Sequence, residues 1–194
     1  VDLVSTISLA MGASWASGLR LYAAVATLGL LGRFTSVTLP GSLAVVEHPW
    51  VIGTALALGL IEFVADKVPV VDSAWDAVHT FIRIPAGAVL AWGAFGDFDP
   101  AVQAVALLVG GGLAMASHGT KAGTRVAVNA SPEPVSNAVV STAEDGLAVG
   151  TVALAVFAPA VAIALVLVAV GVTIWLVPKL WRLVRGRKRA PERA

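Results

Sequence analysis

Residues 62–83 read E-F-V-A-D-K-V-P-V-V-D-S-A-W-D-A-V-H-T-F-I-R. They place Glu62, Asp66, Lys67, Asp72, Asp76, His79 and Arg83 close together in a chain that is only 13% charged, with apolar sequence on both sides. Taken as helix from Asp72, the spacing Asp72, Asp76, His79, Arg83 follows i, i+4, i+7, i+11 and puts all four on one stripe. Glu62 and Asp66 form a second i, i+4 pair at the end of the preceding helix. Whether these groups are solvated or sit at membrane depth decides the fold, because ionisable groups at that depth are costly and usually functional.

Composition answers for the membrane. A soluble domain is about 45–50% apolar and about 25% charged, whereas this 194-residue chain is 58% hydrophobic with mean hydropathy +0.87 and net charge +1. It has no cysteine, which excludes structural disulfides and thiolate chemistry. The first residues carry no basic region ahead of the apolar run, so no cleaved signal peptide is expected.

Working outward from residues 62–83, a bilayer crossing needs about 20 residues. Residues 3–32 exceed that, interrupted by small residues at 12–18 and by Arg20, so the first helix is long, tilted or broken. Residues 33–40 read as a loop. Pro49 opens a second helix over 50–66, and a third covers 73–95 with a kink expected at Pro85. The acidic turn 96–100 precedes a fourth helix over 101–117. A polar belt follows, H-G-T-K-A-G-T-R-V-A-V-N-A-S-P-E-P-V-S-N (118–137), then a fifth helix over 135–157 and a sixth from Pro159. The expected fold is an all-α polytopic transmembrane bundle of about six helices, with broken or re-entrant segments. The helical domain spans 1–184, and 185–194 form a basic tail.

The residues from Lys179 onward hold seven of the 13 basic residues. The positive-inside rule then places the C-terminus in the cytoplasm, with Lys67, Lys121 and Arg125 on the same side and Arg33 as the exception. A multi-pass protein of the bacterial cytoplasmic (inner) membrane is expected, with Trp175 and Trp181 in an interfacial belt. An internal repeat is suggested by Pro69-Val70-x-Asp72 against Pro134-Val135-x-Asn137, which aligns Asp72, Asp76, His79 with Asn137, Ser141, Glu144. A second match, L-A-M with G-L-R (9–20) against L-A-M with G-T-R (113–125), implies a different symmetry.

The motifs G-L-R-L-Y (18–22), E-F-V-A-D-K-V-P (62–69), D-S-A-W-D (72–76) and H-G-T-K-A-G-T-R…N-A-S-P-E-P-x-S-N…E-D (118–145) resemble an uncharacterised family of small bacterial membrane proteins, the domain of unknown function 4126. The likeness spans most of the chain except the basic tail. It implies an integral membrane protein and carries over no catalytic or transport residue.

The candidate pathway residues are Arg20, Glu62, Asp66, Asp76, His79, Arg83, Glu144 and Asp145. Arg20 is the natural partner of Glu62, and a purely structural ion pair accounts for those two as well as a function does. Asp72-Ser73 ahead of a helix is an ordinary cap signal, whereas His79 and Arg83 lie too far inside the helix for capping. Asp72, Asp76 and His79 have the chemistry to bind a divalent metal ion. His118, Lys121 and Arg125 share one face and suit an anion or a lipid headgroup. Glu144 and Asp145 project about 100° apart, so Asp145 is expected to face a different helix.

The function expected is transport or conduction of a small ion, a divalent cation or a proton-coupled species. The alternatives are a membrane enzyme acting on a lipid phosphate through an Asp pair, and a structural membrane subunit. Partners are the lipid bilayer and the ion. Six helices leave room for a homo-oligomer, and nothing indicates nucleic acid. Gly110-Gly111-Gly112 lacks a following G-K-[ST] and reads as a close-packing stretch.

Overall fold

The computed structural model describes residues 2–66, 69–129 and 134–187. Lys67, residues 130–133 of the N-A-S-P-E-P turn and the tail beyond Arg187 lie outside them, as do the side chains of Asp72, Asn137 and Trp181. The described chain forms six α-helices: α1 (Leu3–Phe34), α2 (Pro49–Ala65), α3 (Pro69–Ala94), α4 (Pro100–Asn129), α5 (Pro134–Phe157) and α6 (Pro159–Arg187). A short 3-10 helix, Gly41–Glu47, precedes α2. Every helix after α1 opens on proline, whose fixed φ suits the first turn and whose missing N–H has no helical acceptor there. Asp2 caps α1, accepting from the Ser5 N–H at 3.0 Å, and its Ser5 bonds hold the carboxyl below the usual carboxylate range.

The helix α1 is the centre of the bundle, in contact with each of the other five. Its sequence explains the position. Gly12, Ala13, Ser14, Ala16, Ser17 and Gly18 are all buried, and such small residues let neighbouring backbones approach on every side. A Cβ at Gly18 would run into the Ser117 hydroxyl and the Ala114 carbonyl of α4. Serines fasten the same helix to its neighbours: Ser8 Oγ donates to Ala155 O at 3.1 Å, Ser14 Oγ to Gly87 O at 2.7 Å, and Ser17 Oγ to Arg83 O at 3.0 Å.

The helix α1 is also broken. Arg20 has φ −148° and ψ 83°, outside the helical range, so two helical halves meet at that residue. By contrast α3 is assigned helix through Pro85. The polar belt after residue 117 differs from expectation, because α4 continues through it to Asn129. Its charges find partners inside the bundle, so no polar loop is needed to hydrate them. The 3-10 segment was not expected from sequence either.

Among the described residues, three helical stretches are long and apolar enough to cross a membrane: Pro100–Arg125, Ala138–Phe157 and Pro159–Leu176. A fourth is counted if Gly41–Glu47 and α2, bent by 67°, form one broken span. Fewer segments pass than the six expected because α1 and α3 carry much of the polar interior. The outer surface is correspondingly apolar, with Leu108, Leu167, Val168 and Ile174 exposed while Arg20, Arg83 and Lys121 are almost fully buried. This distribution, inverted relative to a soluble domain, points to a membrane protein. At the far end of α6, Lys179 Nζ lies 3.3 Å from the centroid of the Trp175 ring, the kind of aromatic and basic pairing that suits a headgroup boundary.

Candidate functional site: a buried charge network at the break in α1

The break in α1 points the Arg20 side chain at carboxylates from two helices. Its Nη1 pairs with Asp66 and lies 3.6 Å from Glu62 Oε1, both at the end of α2. Its Nη2 lies 3.4 Å from Glu144 Oε2 and its Nε 3.1 Å from Asp145 Oδ1, both on α5. The same Nη2 donates to Ser141 Oγ at 2.9 Å. The expected pairing of Arg20 with Glu62 is therefore present, with Asp66 nearer. Glu144 and Asp145 were expected to face different helices, yet both reach this guanidinium, because its planar fork is wide enough to span the two directions.

A second centre forms around Arg83 and Lys121. Arg83 Nη2 donates to Glu62, and Nη1 donates to Asp76 Oδ1 at 2.7 Å. Lys121 Nζ lies 3.1 Å from the same Asp76 oxygen, 3.8 Å from Glu144 Oε2 and 3.9 Å from Glu62 Oε1. It also donates to the Leu19 carbonyl at 3.4 Å, one residue before the break, where backbone acceptors lose their helical donors. Arg125 closes the network with Nη2 at 2.8 Å from Glu144 Oε2 and 3.5 Å from Asp66 Oδ2. Lys121 and Arg125 were expected in a cytoplasmic connection, but they sit within α4, buried, and supply no loop charge to the positive-inside count.

The two histidines beside the network are fixed by neighbouring polar groups. His79 Nδ1 donates to the Trp75 carbonyl at 2.8 Å, and its Nε2 lies 3.0 Å from Tyr22 Oη. The Trp75 ring stacks on that imidazole with centroids 4.2 Å apart. The Thr80 hydroxyl donates to Asp76 O at 2.8 Å, so it accepts from His118 Nε2 at 2.6 Å. His118 Nδ1 then faces Arg83 Nη1 as an acceptor at 3.4 Å.

All the pathway residues expected from sequence thus converge: Arg20, Glu62, Asp66, Asp76, Arg83, Glu144 and Asp145 belong to one network, and His79 flanks it through Tyr22. His118, Lys121 and Arg125 join it too, turned inward onto a threonine and carboxylates. Asp76 and His79 are committed to different partners, and among the described residues no three His, Asp or Glu side chains are grouped as a metal ion requires. Tyr22, Trp75 and Thr80 escaped the sequence reading. A usable signal existed for Tyr22, the only tyrosine in the chain, two residues after Arg20.

An ionised group without a partner at membrane depth costs about 2.5–3.5 kcal/mol on insertion scales. Mutual pairing removes that cost here and ties α1, α2, α3, α4 and α5 at one level. Two grooves, one next to Tyr22 and one at the apolar end of α1, are lined by none of the network's charges. One, about 460 Å³, is lined by Leu21, Tyr22, Val25, Trp50, Leu58 and Ala86 among others. The other, lined by Ile7, Met11, Phe95, Val105 and Leu113 among others, has no polar wall.

A profile of the family described as a domain of unknown function (DUF4126) matches residues 7–179. No curated protein and no solved structure matches the chain.

Proposed function

The chain belongs to the family of the domain of unknown function 4126, and from that premise we propose that it is a proton-coupled transporter of a small ion. The observation that carries this reading is the single buried network of Arg20, Glu62, Asp66, Asp76, Arg83, Lys121, Arg125, Glu144 and Asp145 around a helix broken at Arg20. Intramembrane ionisable groups that face a bundle interior mark ion pathways and proton relays. Broken helices at such a level are a recurring feature of transporter sites.

Several features favour transport over the alternatives. Apart from Asp145, the network is almost wholly excluded from solvent, which suits alternating access better than an open channel. The carboxylates are already matched to guanidinium and ammonium groups, so a proton, which exchanges one ion pair at a time, fits them better than a divalent cation. Neither of the two grooves described above is lined by an acid or base of the network. Under this proposal the basic tail faces the cytoplasm of a bacterial inner membrane.

Purified protein in proteoliposomes provides the test, with an internal pH dye and probes for alkali cations, divalent metals and common anions. An imposed proton gradient should drive accumulation of one of these ions, and Glu62→Gln should abolish it. Absence of any proton-linked flux across that panel would sink the proposal. Orientation is checked separately. Because the chain lacks cysteine, an Ala194→Cys variant in spheroplasts should resist an impermeant thiol reagent until the membrane is opened.

A further inference from the structure

The charge count within the network is uneven. Glu62, Asp66, Asp76, Glu144 and Asp145 supply five carboxylates, and Arg20, Arg83, Lys121 and Arg125 supply four cations. Among the described residues, full ionisation of these nine acids and bases leaves one negative charge in excess. The surplus has a definite location. Glu62 also has Arg83, Asp66 and Glu144 also have Arg125, and Asp76 has both Arg83 and Lys121. Asp145 has Arg20 alone, and it shares that guanidinium with Glu62, Asp66 and Glu144.

The surroundings of Asp145 agree with the count. Oδ1 faces Arg20 Nε, while Oδ2 is buried and has no hydrogen-bond partner. A carboxylate oxygen in that state carries a desolvation cost that neutralisation relieves. The side chain as a whole is 28% exposed, against 12% or less for the other four acids, so it is the member that a proton from outside reaches first. The charged groups around it are Arg20 from α1, Glu62 and Asp66 at the end of α2 through that same Arg20, Arg125 from α4 by way of Glu144, and Glu144 on its own helix. The described ionisable side chain of α6, Lys179, lies over Trp175.

We propose that Asp145 is the residue that takes up the coupling proton, and that its neutralisation releases Arg20 Nε from α5. This deepens the transport reading and rests on it for the word coupling. The proton adds to the Asp145 carboxylate, the nine described acids and bases pass from a net charge of −1 to zero, and the ion pair with Arg20 Nε is the contact given up. Arg20 keeps Asp66 and Glu62 on α2 and, through Nη2, Ser141 and Glu144 on α5, so the break in α1 loses one of its holds on α5 and none on α2.

Infrared pH-difference spectroscopy on the full chain in lipid nanodiscs reads this without any flux measurement. Acidification should produce a protonated-carboxyl stretching band in the wild type. That band should be lost in Asp145→Asn and kept in Asp97→Asn, which alters an acid outside the network. Asp145→Glu should return the band at a shifted frequency. Biosynthetic ¹³C-aspartate labelling of the wild type should move the wild-type band, which assigns it to aspartate even if a variant does not fold. A band that persists in Asp145→Asn, a band insensitive to the label, or no titrating band in folded wild type would each overturn the assignment. A wild type that shows the band but moves no ion refutes transport and leaves the proton site standing.

Discussion

The two halves of α1 are held in the bundle by different physics. Between Ile7 and Ser14 the helix lies among small and apolar side chains, and Ser8 and Ser14 bond to backbone carbonyls. Between Ser17 and Tyr22 it meets Arg83, Lys121 and the carboxylates of α2 and α5. The first half relies on close approach, which is sensitive to volume and indifferent to charge. The second relies on compensated charge, which is sensitive to the loss of any one partner. Only the second stretch contains the break, and there a charged side chain, Lys121, donates to a carbonyl of α1.

Altering each half in turn sharpens the contrast. The largest effect is expected from Arg20→Ala, which takes one cation from four carboxylates at once and leaves Asp145 without its ion pair. Losing one partner of a buried pair costs about 3–5 kcal/mol, so little folded protein should survive in a size-exclusion thermal assay. A variant as stable as wild type would show that the network does not hold the two halves of α1. Next comes Gly110→Ala in the apolar half. Its Cβ would meet Ala91 Cβ, with Gly87 O and Ser14 Oγ both at 2.8 Å, and overpacking of this kind costs about 1–3 kcal/mol. The loss should appear as a lower melting temperature with the pH response of the network intact.

Tyr22→Phe removes one hydrogen bond to His79 Nε2 and should cost about 0.5–1.5 kcal/mol, measured by the same melting assay. If the change exceeds that of Gly110→Ala, Tyr22 belongs to the network and not to its margin. The smallest expected effect is a gain. A Cβ at Gly112 meets nothing within 4 Å, so Gly112→Ala should stabilise by roughly 0.4–1 kcal/mol through the unfolded chain. Two glycines two residues apart on α4 should thus respond with opposite sign.

The membrane class, the six helices and the carboxylates, Arg20 and Arg83 of the network were legible in the sequence from composition, periodicity and proline position, whereas Lys121 and Arg125 were read as an anion or headgroup contact. Pro49, Pro69, Pro100, Pro134 and Pro159 mark their helices directly. Pairings across helices were less legible. Nothing local says that Arg83 rather than Arg20 takes the close contact with Glu62, since that depends on how α2 and α3 are rotated. The belt at 118–125 looked like a loop because its charges suggested water, whereas buried partners distant in sequence, on α2, α3 and α5, allow α4 to continue. The break at Arg20 left only a weak trace, the run of small residues before it. Such residues permit a break but do not locate one.

The position of Arg20 at the centre of α1 also bears on how the chain is made. This guanidinium leaves the ribosome early, and its contacts on α5 lie far downstream, Ser141 being 121 residues later. At about 5–20 residues per second, synthesis alone separates them by roughly 6–24 s. During that interval α1 carries a buried-type charge with an incomplete set of partners, and the bilayer core resists it. A helix made well before its partners is therefore among the last to settle. A chain truncated before α5 should remain loosely inserted and open to proteolysis at its N-terminal third, long after an ordinary hydrophobic first span would have been protected.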